Sequence, residues 1–300
     1  MLSMNLGVDI GNSGVRIASI EVAPPKVIPL IRIPWSRPGS SGGPTPSGTG
    51  QPVPADDEPS ADGSAQTAPS GAGYQPAESH WLAALPVDWS ADRPVQWWIS
   101  SVRRDATRTL LERIETAAGH QATLIQHTDL PVQVDVPNPE RVGIDRLLAA
   151  WAAADCSPAG PVIVVEAGSA VTVDLVEVDE NGRVRFAGGA ILPGMAMMLR
   201  QMGQFADLLP FLDAETVAGE LQLPGRSTEQ AMLAGVTCSL LGGVQMAVEN
   251  YRRRWGNSTP AVTSGGDGEA IARHLPDPVE HWPDLVMQGI RKLVTLRQRD

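Results

Sequence analysis

Val8-Asp9-Ile10-Gly11-Asn12-Ser13 and Val165-Glu166-Ala167-Gly168-Ser169 are one short pattern written twice. In each, an apolar run ends on an acid, a glycine follows two residues on, and a small hydroxyl residue comes shortly after. Their surroundings repeat as well. Residues 5–9, 15–20 and 26–33 read as successive strands joined by tight turns. Residues 162–165, 171–176 and 184–187 read the same way, with a turn at 179–182. A duplicated unit of this kind predicts two related domains facing each other across a cleft. The expected division is 1–138 and 139–300.

Between and beyond the repeats the pattern is mixed α/β. A strand is expected at 96–100, a helix over 105–118 closed by Gly119, and a short strand at 123–126. Residues 141–154 have helical spacing, with Leu147, Leu148 and Trp151 on one face. A long helix over about 228–255, a strand at 261–263 and a terminal helix from Leu285 complete the reading.

Residues 37–80 break the average composition: 44 positions hold 8 Gly, 8 Pro and 7 Ser, with Val53 and Tyr74 as the large apolar side chains. Such a stretch buries too little surface to offset its ordering entropy and is expected to be mobile. Only 36 residues precede it, and they already read as three strands. An insertion in a surface loop of the first domain is therefore favoured over a linker. The whole chain has 300 residues, 42% of them hydrophobic, which is enough for a core. Its net charge of −11 argues against nucleic acid as a partner. Two cysteines, Cys156 and Cys238, make neither a disulfide framework nor a four-ligand zinc site. With no long uninterrupted apolar run and no basic leader, the reading is a cytoplasmic protein without a membrane span.

The paired turns suggest chemistry. A carboxylate at a strand end repels phosphate, yet it can position a hydrated Mg²⁺ that bridges phosphate oxygens. The glycines let backbone approach phosphate closely, and turn N–H groups form an anion nest. Ser13 and Ser169 add hydroxyls, and Arg16 adds positive charge. One such turn alone is better explained by an ordinary hairpin; two matched turns favour phosphate binding. A third constellation is Gly143-Ile144-Asp145-Arg146 at a helix start. There an aspartate can accept a proton from a substrate hydroxyl while the arginine binds a carboxylate. A purely capping Asp145 is the plainer alternative. Gly188-Gly189 in the run 188–194 signals a close approach, by packing or by ligand. Thr228, with Glu229, opens the long helix as a plausible cap. Ser264-Gly265-Gly266 follows a strand, where a nucleoside can lie on bare backbone. The five histidines show no ligand spacing, and the tryptophans read as packing.

Taken in order, DIGNSGVR (9–16), GIDR (143–146), EAGSAVTVD (166–174), GGAILPG (188–194), GRST (225–228) and SGG (264–266) resemble the type III pantothenate kinases. The resemblance covers nearly the whole chain outside the insertion and its flank. It implies an α/β fold of two duplicated RNase H-like, actin-like domains flanking a nucleotide cleft. It also implies ATP-dependent phosphorylation of pantothenate, the first committed step of coenzyme A synthesis. By that resemblance Asp9, Ile10, Gly11, Asn12, Ser13, Gly14, Val15 and Arg16 form a phosphate loop with Asp9 near Mg²⁺. Gly168, Ser169, Gly265 and Gly266 contact ATP. Gly143, Ile144, Asp145, Arg146 and Thr228 contact pantothenate, with Asp145 as the base, and Glu166 holds a monovalent cation, K⁺ or NH₄⁺. Similar enzymes are homodimers with the pantothenate pocket near the interface. The chain departs from the family pattern where Ser13 replaces threonine, Arg16 lysine, Glu166 aspartate, Ser169 threonine, Val136 a pantothenate-contacting tyrosine and Ser264 threonine. A non-catalytic nucleotide-binding regulator on the same fold, or a kinase for another small hydroxy acid or sugar, are the competing expectations.

Overall fold

The structure, a computed structural model, describes residues 4–35, 80–87, 89, 94–212 and 223–299. The expected insertion lies outside the described residues except for His80. In the first sheet, β1 (Met4–Ile10), β2 (Gly14–Val22) and β3 (Pro25–Pro34) are an antiparallel meander. Beyond β1, β4 (Val95–Ser101) and β5 (His120–Leu124) add in parallel, giving the order β3-β2-β1-β4-β5. The second sheet has a matching meander of β7 (Gly160–Ala167), β8 (Ala170–Val178) and β9 (Val184–Pro193). Beyond β7, β10 (Ala261–Gly265) and β11 (Val279–His281) again add in parallel. One further strand, β6 (Val132–Val134), pairs with the outer edge of β9. Set β6 aside and the two sheets have one topology. The internal repeat is thus a repeat of strand order as well as of motif.

Helices cover both sheets with faces that the apolar spacing dictates. In α2 (Arg104–Glu115), Ala106, Leu110 and Ile114 recur every fourth residue and pack with Leu6, Val8 and Ile10 of β1. The short α1 (His80–Ala83) adds Trp81 to the same core. In α5 (Thr228–Trp255), Met232, Val236, Leu240, Val244 and Val248 lie over Val165, Val171 and Val173, beside α4 (Met195–Phe205) and α6 (Gly268–Ala272). By length and apolar composition α5 would also pass as a membrane-crossing helix, which the sequence reading did not anticipate. Here its buried stripe is core.

Between the sheets lie α3 (Ile144–Ala153) and α7 (Leu285–Arg297). Leu147, Leu148 and Trp151 of α3 and Ile290, Leu293 and Val294 of α7 join Ala18 and Trp98 of the first sheet and Val164 and Phe186 of the second in one core. Gly289 permits the close α3–α7 crossing, since a Cβ there would lie 2.4 Å from the Leu148 carbonyl oxygen. Two features of the packing lie where the two halves of the chain meet. Val132 and Val134 pack into the interdomain core on the edge of β9, so the change of sheet comes before residue 132. The C-terminal α7, placed wholly in the second domain by sequence, packs on both sheets.

Candidate active site

Strands β1 and β7 both end at the cleft, and each delivers its acid there. Asp9 is 4% exposed. The register sets Arg16 opposite it on β2 and Ser100 beside it on β4. Arg16 donates to Asp9 Oδ2 through Nη2 at 2.7 Å and Nε at 3.2 Å, and the Ser100 hydroxyl donates to Oδ1 at 3.2 Å. The negative charge of Asp9 is the main reason the Arg16 guanidinium holds its proton more tightly than usual. The turn after β1 closes with Gly11 N–H donating to the Gly14 carbonyl at 3.0 Å. Trp35 then ties its carbonyls back, Nε1 to Gly11 O at 2.9 Å and N to Ser13 O at 3.0 Å. The N–H groups of Asn12 and Ser13 have no acceptor among the described residues. In the second turn Gly168 N–H donates to Ala170 O and Gly194 N–H to Ser169 O, each at 3.0 Å, and the Ser169 N–H is likewise without an acceptor there. The hydroxyls of Ser13 and Ser169 hydrogen-bond to each other, so the two turns meet across the cleft. Ile10 and Val15 are fully buried in the first core, so only their backbone can serve a ligand.

Asp145 sits in the first turn of α3. Gly143 precedes the helix, and a Cβ there would lie 2.3 Å from Asp145 Oδ1, so glycine leaves room for the carboxylate. Asp145 Oδ1 accepts from the Arg146 N–H at 2.9 Å; its other oxygen has no partner among the described residues. Burial first, and then the charge of Asp9, raise its pKa to about 6. Glu166 is raised to about 7, chiefly by burial, with Asp9 and Asp145 pushing up and Arg16 and Ser264 pulling down. Its Oε1 is buried without a hydrogen-bond partner. Three carboxylates therefore share one cleft, with Arg16 and Arg146 as cations beside them.

Other expected residues fall differently. Ile144 is buried in the interdomain core. Arg146, expected to wait for a substrate carboxylate, is already paired with Asp174. Thr228 is exposed at the start of α5, and the cap there is Ser227, whose hydroxyl accepts from Gln230 N–H at 3.2 Å. No interaction among the described residues joins Thr228 to Asp145. Gly188 and Gly189 belong to β9 and answer to packing.

Next to Arg16 a cavity of about 380 Å³ opens between β2, β3 and the start of α7, lined by Arg32, Leu30, Gly265, Gly266, Asp284 and Met287 among others. Gly265 has φ +87°, and a Cβ on it would sit 2.2 Å from Ala167 O. Only glycine fits there, which leaves bare backbone on the cavity wall. Asp284 comes within 4.0 Å of Arg16 and is itself in the left-handed region, at φ 56°. Arg32, Ser100, Asp174 and Asp284 were not singled out from sequence. Ser100 was findable in principle, since a hydroxyl at the end of the neighbouring strand is the counterpart of Ser264 beside Glu166. Asp284 gave no signal short of the fold.

A sequence model of the type III pantothenate kinases matches residues 66–250, more than half of the chain. The chain belongs to the type III pantothenate kinase family. The type III pantothenate kinase of Rhodopirellula baltica is 39% identical over 203 residues, covering 65% of this chain and 71% of its own. That of Thiobacillus denitrificans is 30% identical over 223 residues, covering 71% of this chain and 87% of its own. Two solved structures share the fold. A Baf family protein from Campylobacter jejuni superposes with a TM-score of 0.52 at 16% identity, over 98% of this chain and 100% of that one. A protein from Sinorhizobium meliloti described as a 2-dehydro-3-deoxygalactonokinase gives 0.51 at 13%, over 97% and 96%. The expected fold class, two duplicated α/β domains about a cleft, is the one seen here.

Proposed function

We propose that the chain transfers the γ-phosphoryl group of ATP to the terminal hydroxyl of pantothenate, giving 4′-phosphopantothenate and ADP, the opening step of coenzyme A synthesis. The observation that carries this reading is Asp145: a carboxylate with one oxygen unpartnered among the described residues and a pKa of about 6, converging with two phosphate-ready turns. A base poised near the working pH combines a deprotonated fraction with proton affinity. Asp145 accepts the proton of the acceptor hydroxyl as that oxygen attacks phosphorus, and the leaving ADP carries the departing electron pair. Family membership supports the substrate.

The residues present fit the groups such a reaction uses. The N–H groups of Asn12, Ser13 and Ser169, without acceptors among the described residues, suit phosphate oxygens together with both serine hydroxyls. Both oxygens of Asp9 already accept hydrogen bonds, so it suits Mg²⁺ held through water; the ion supplies charge neutralisation at the phosphates. The orphaned Glu166 Oε1, in a surplus of negative charge, suits a monovalent cation. The cavity beside Gly265 and Gly266 has the mixed lining a nucleoside needs.

The active unit in this proposal is a homodimer. Ile191, Met197, Phe205, Phe211 and Met246 are exposed on and around α4 and α5, apolar side chains that a second copy of the chain would cover. Thr228 opens the same α5 and would complete the pocket of the other copy. A coupled assay of ADP release tests the reading. Release that requires pantothenate supports it. Release with a different hydroxy acid or sugar instead, or ATP binding without turnover, contradicts it.

A further inference from the structure

Asp174 ends the motif 166–174, and the reaction described above makes no use of it. It is 1% exposed on the α3-facing side of β8, and its carboxylate accepts from Arg146 through Nε at 3.1 Å and Nη2 at 2.5 Å. This grip takes one edge of the planar guanidinium. Nη1, on the opposite edge, has no partner among the described residues, while Phe186 lies against the group at 5.3 Å. The sheet is shaped around the pair. The β8–β9 register shifts between Asp174 and Val176, and Gly189 stands opposite Asp174. A Cβ on Gly189 would lie 2.0 Å from Asp174 Oδ1, so that carboxylate occupies the room glycine leaves. Arg146 also follows Asp145 directly in sequence, in a cleft that holds Asp9 and Glu166. An ungripped arginine there has carboxylates to fall onto.

We propose that Asp174 is a positioning residue, holding one edge of Arg146 so that the other edge meets the carboxylate of the acceptor substrate. The proposal rests on the pantothenate reading, because it needs an acceptor that carries a carboxylate at the end remote from its reacting hydroxyl. Asp174 touches neither substrate nor base. It sets the direction of the residue that touches the substrate.

The test is steady-state kinetics of Asp174→Asn with two acceptors, pantothenate and pantothenol, the alcohol that lacks the carboxylate. The KM for pantothenate is expected to rise about 10- to 100-fold, the scale of one charge-assisted hydrogen bond. The KM values for pantothenol and ATP should move less than about threefold. Asp174→Asn leaves a half-buried guanidinium without its carboxylate and can fail to fold. For that case the double variant Arg146→Met with Asp174→Asn removes both charges, and its pantothenate KM should equal that of Arg146→Met alone; a further rise would overturn the proposal. Equal KM increases for both acceptors, or a fall in kcat with the pantothenate KM unchanged, would also overturn it. Wild-type protein that phosphorylates neither acceptor overturns the functional reading and this inference with it. Wild-type turnover of pantothenate, with Asp174→Asn indistinguishable from it, overturns the inference alone.

Discussion

Burial and the neighbouring charge of Asp9 hold the Asp145 carboxyl at about 6, against an ordinary 3.8, and this has consequences for rate and stability alike. As a base, Asp145 works when deprotonated, so kcat is expected to rise with pH through about 6 and then level off. Asp145→Asn should lose about 10²–10⁴-fold in turnover while still binding ATP, as measured by initial rates and nucleotide titration. The stability effect has the opposite sense. A raised carboxyl pKa favours the folded state fully below about 3.8, and that contribution is lost as pH rises through about 6. The asparagine variant escapes the loss. It should therefore be more stable than the wild type by up to about 3 kcal/mol near pH 7.5 and equal to it below about pH 4, as read from urea melts at each pH. Glu166 supports a different expectation. It reaches one methylene further than the aspartate of the resembling pattern, moving its oxygens by about 1.5 Å. Cation sites select by ligand placement, so activity across Na⁺, K⁺, NH₄⁺ and a bulky organic cation should depart from K⁺/NH₄⁺ dependence, and Glu166→Asp should restore it. Strong K⁺ activation unchanged by that substitution would contradict the expectation.

Among the elements, the α3–α7 crossing fixes where Asp145 stands. Gly289→Ala would place a methyl 2.4 Å from Leu148 O and 2.7 Å from its carbonyl carbon, against backbone that cannot turn aside. The variant should lose about 1–3 kcal/mol in a denaturant melt, and because α3 carries Asp145, its turnover should fall as well. How far elements were legible in the sequence follows from what formed them. Five of the meander strands, α2, α3, α5 and α7 were legible because their apolar spacing points at a core they bury locally; β3, which buries no residue fully, was legible from its alternation between turns. β6 escaped because three residues with two valines make no period; it exists through pairing with the edge of β9. α4 escaped because Met195 and Leu199 are its fully buried positions, with much of its apolar surface open to solvent. At the site, the two turns and Asp145 were visible as motifs. The Asp174–Arg146 pair was not, because it joins β8 to α3 through a contact that only the packed sheet creates. Arg146 was accordingly given to the substrate alone.

For the whole molecule, the proposed homodimer makes a testable claim about the exposed side of α5. Gly242 opens onto solvent on α5, where a Cβ would meet nothing within 4 Å. Gly242→Arg should leave the folded protomer intact yet shift sedimentation from dimer to monomer, with activity falling as the dimer dissociates. An unchanged sedimentation profile would show that the face serves something else. The central claim is the transfer of phosphate from ATP to pantothenate by Asp145, and it is tested most directly by identifying the product. Wild-type protein and Asp145→Asn are each incubated with Mg²⁺, ATP and pantothenate, and the acceptor is examined by mass spectrometry. The account predicts phosphopantothenate forming in step with ADP for the wild type and almost none for the variant. Unmodified pantothenate beside accumulating ADP, or equal product from both proteins, would contradict it.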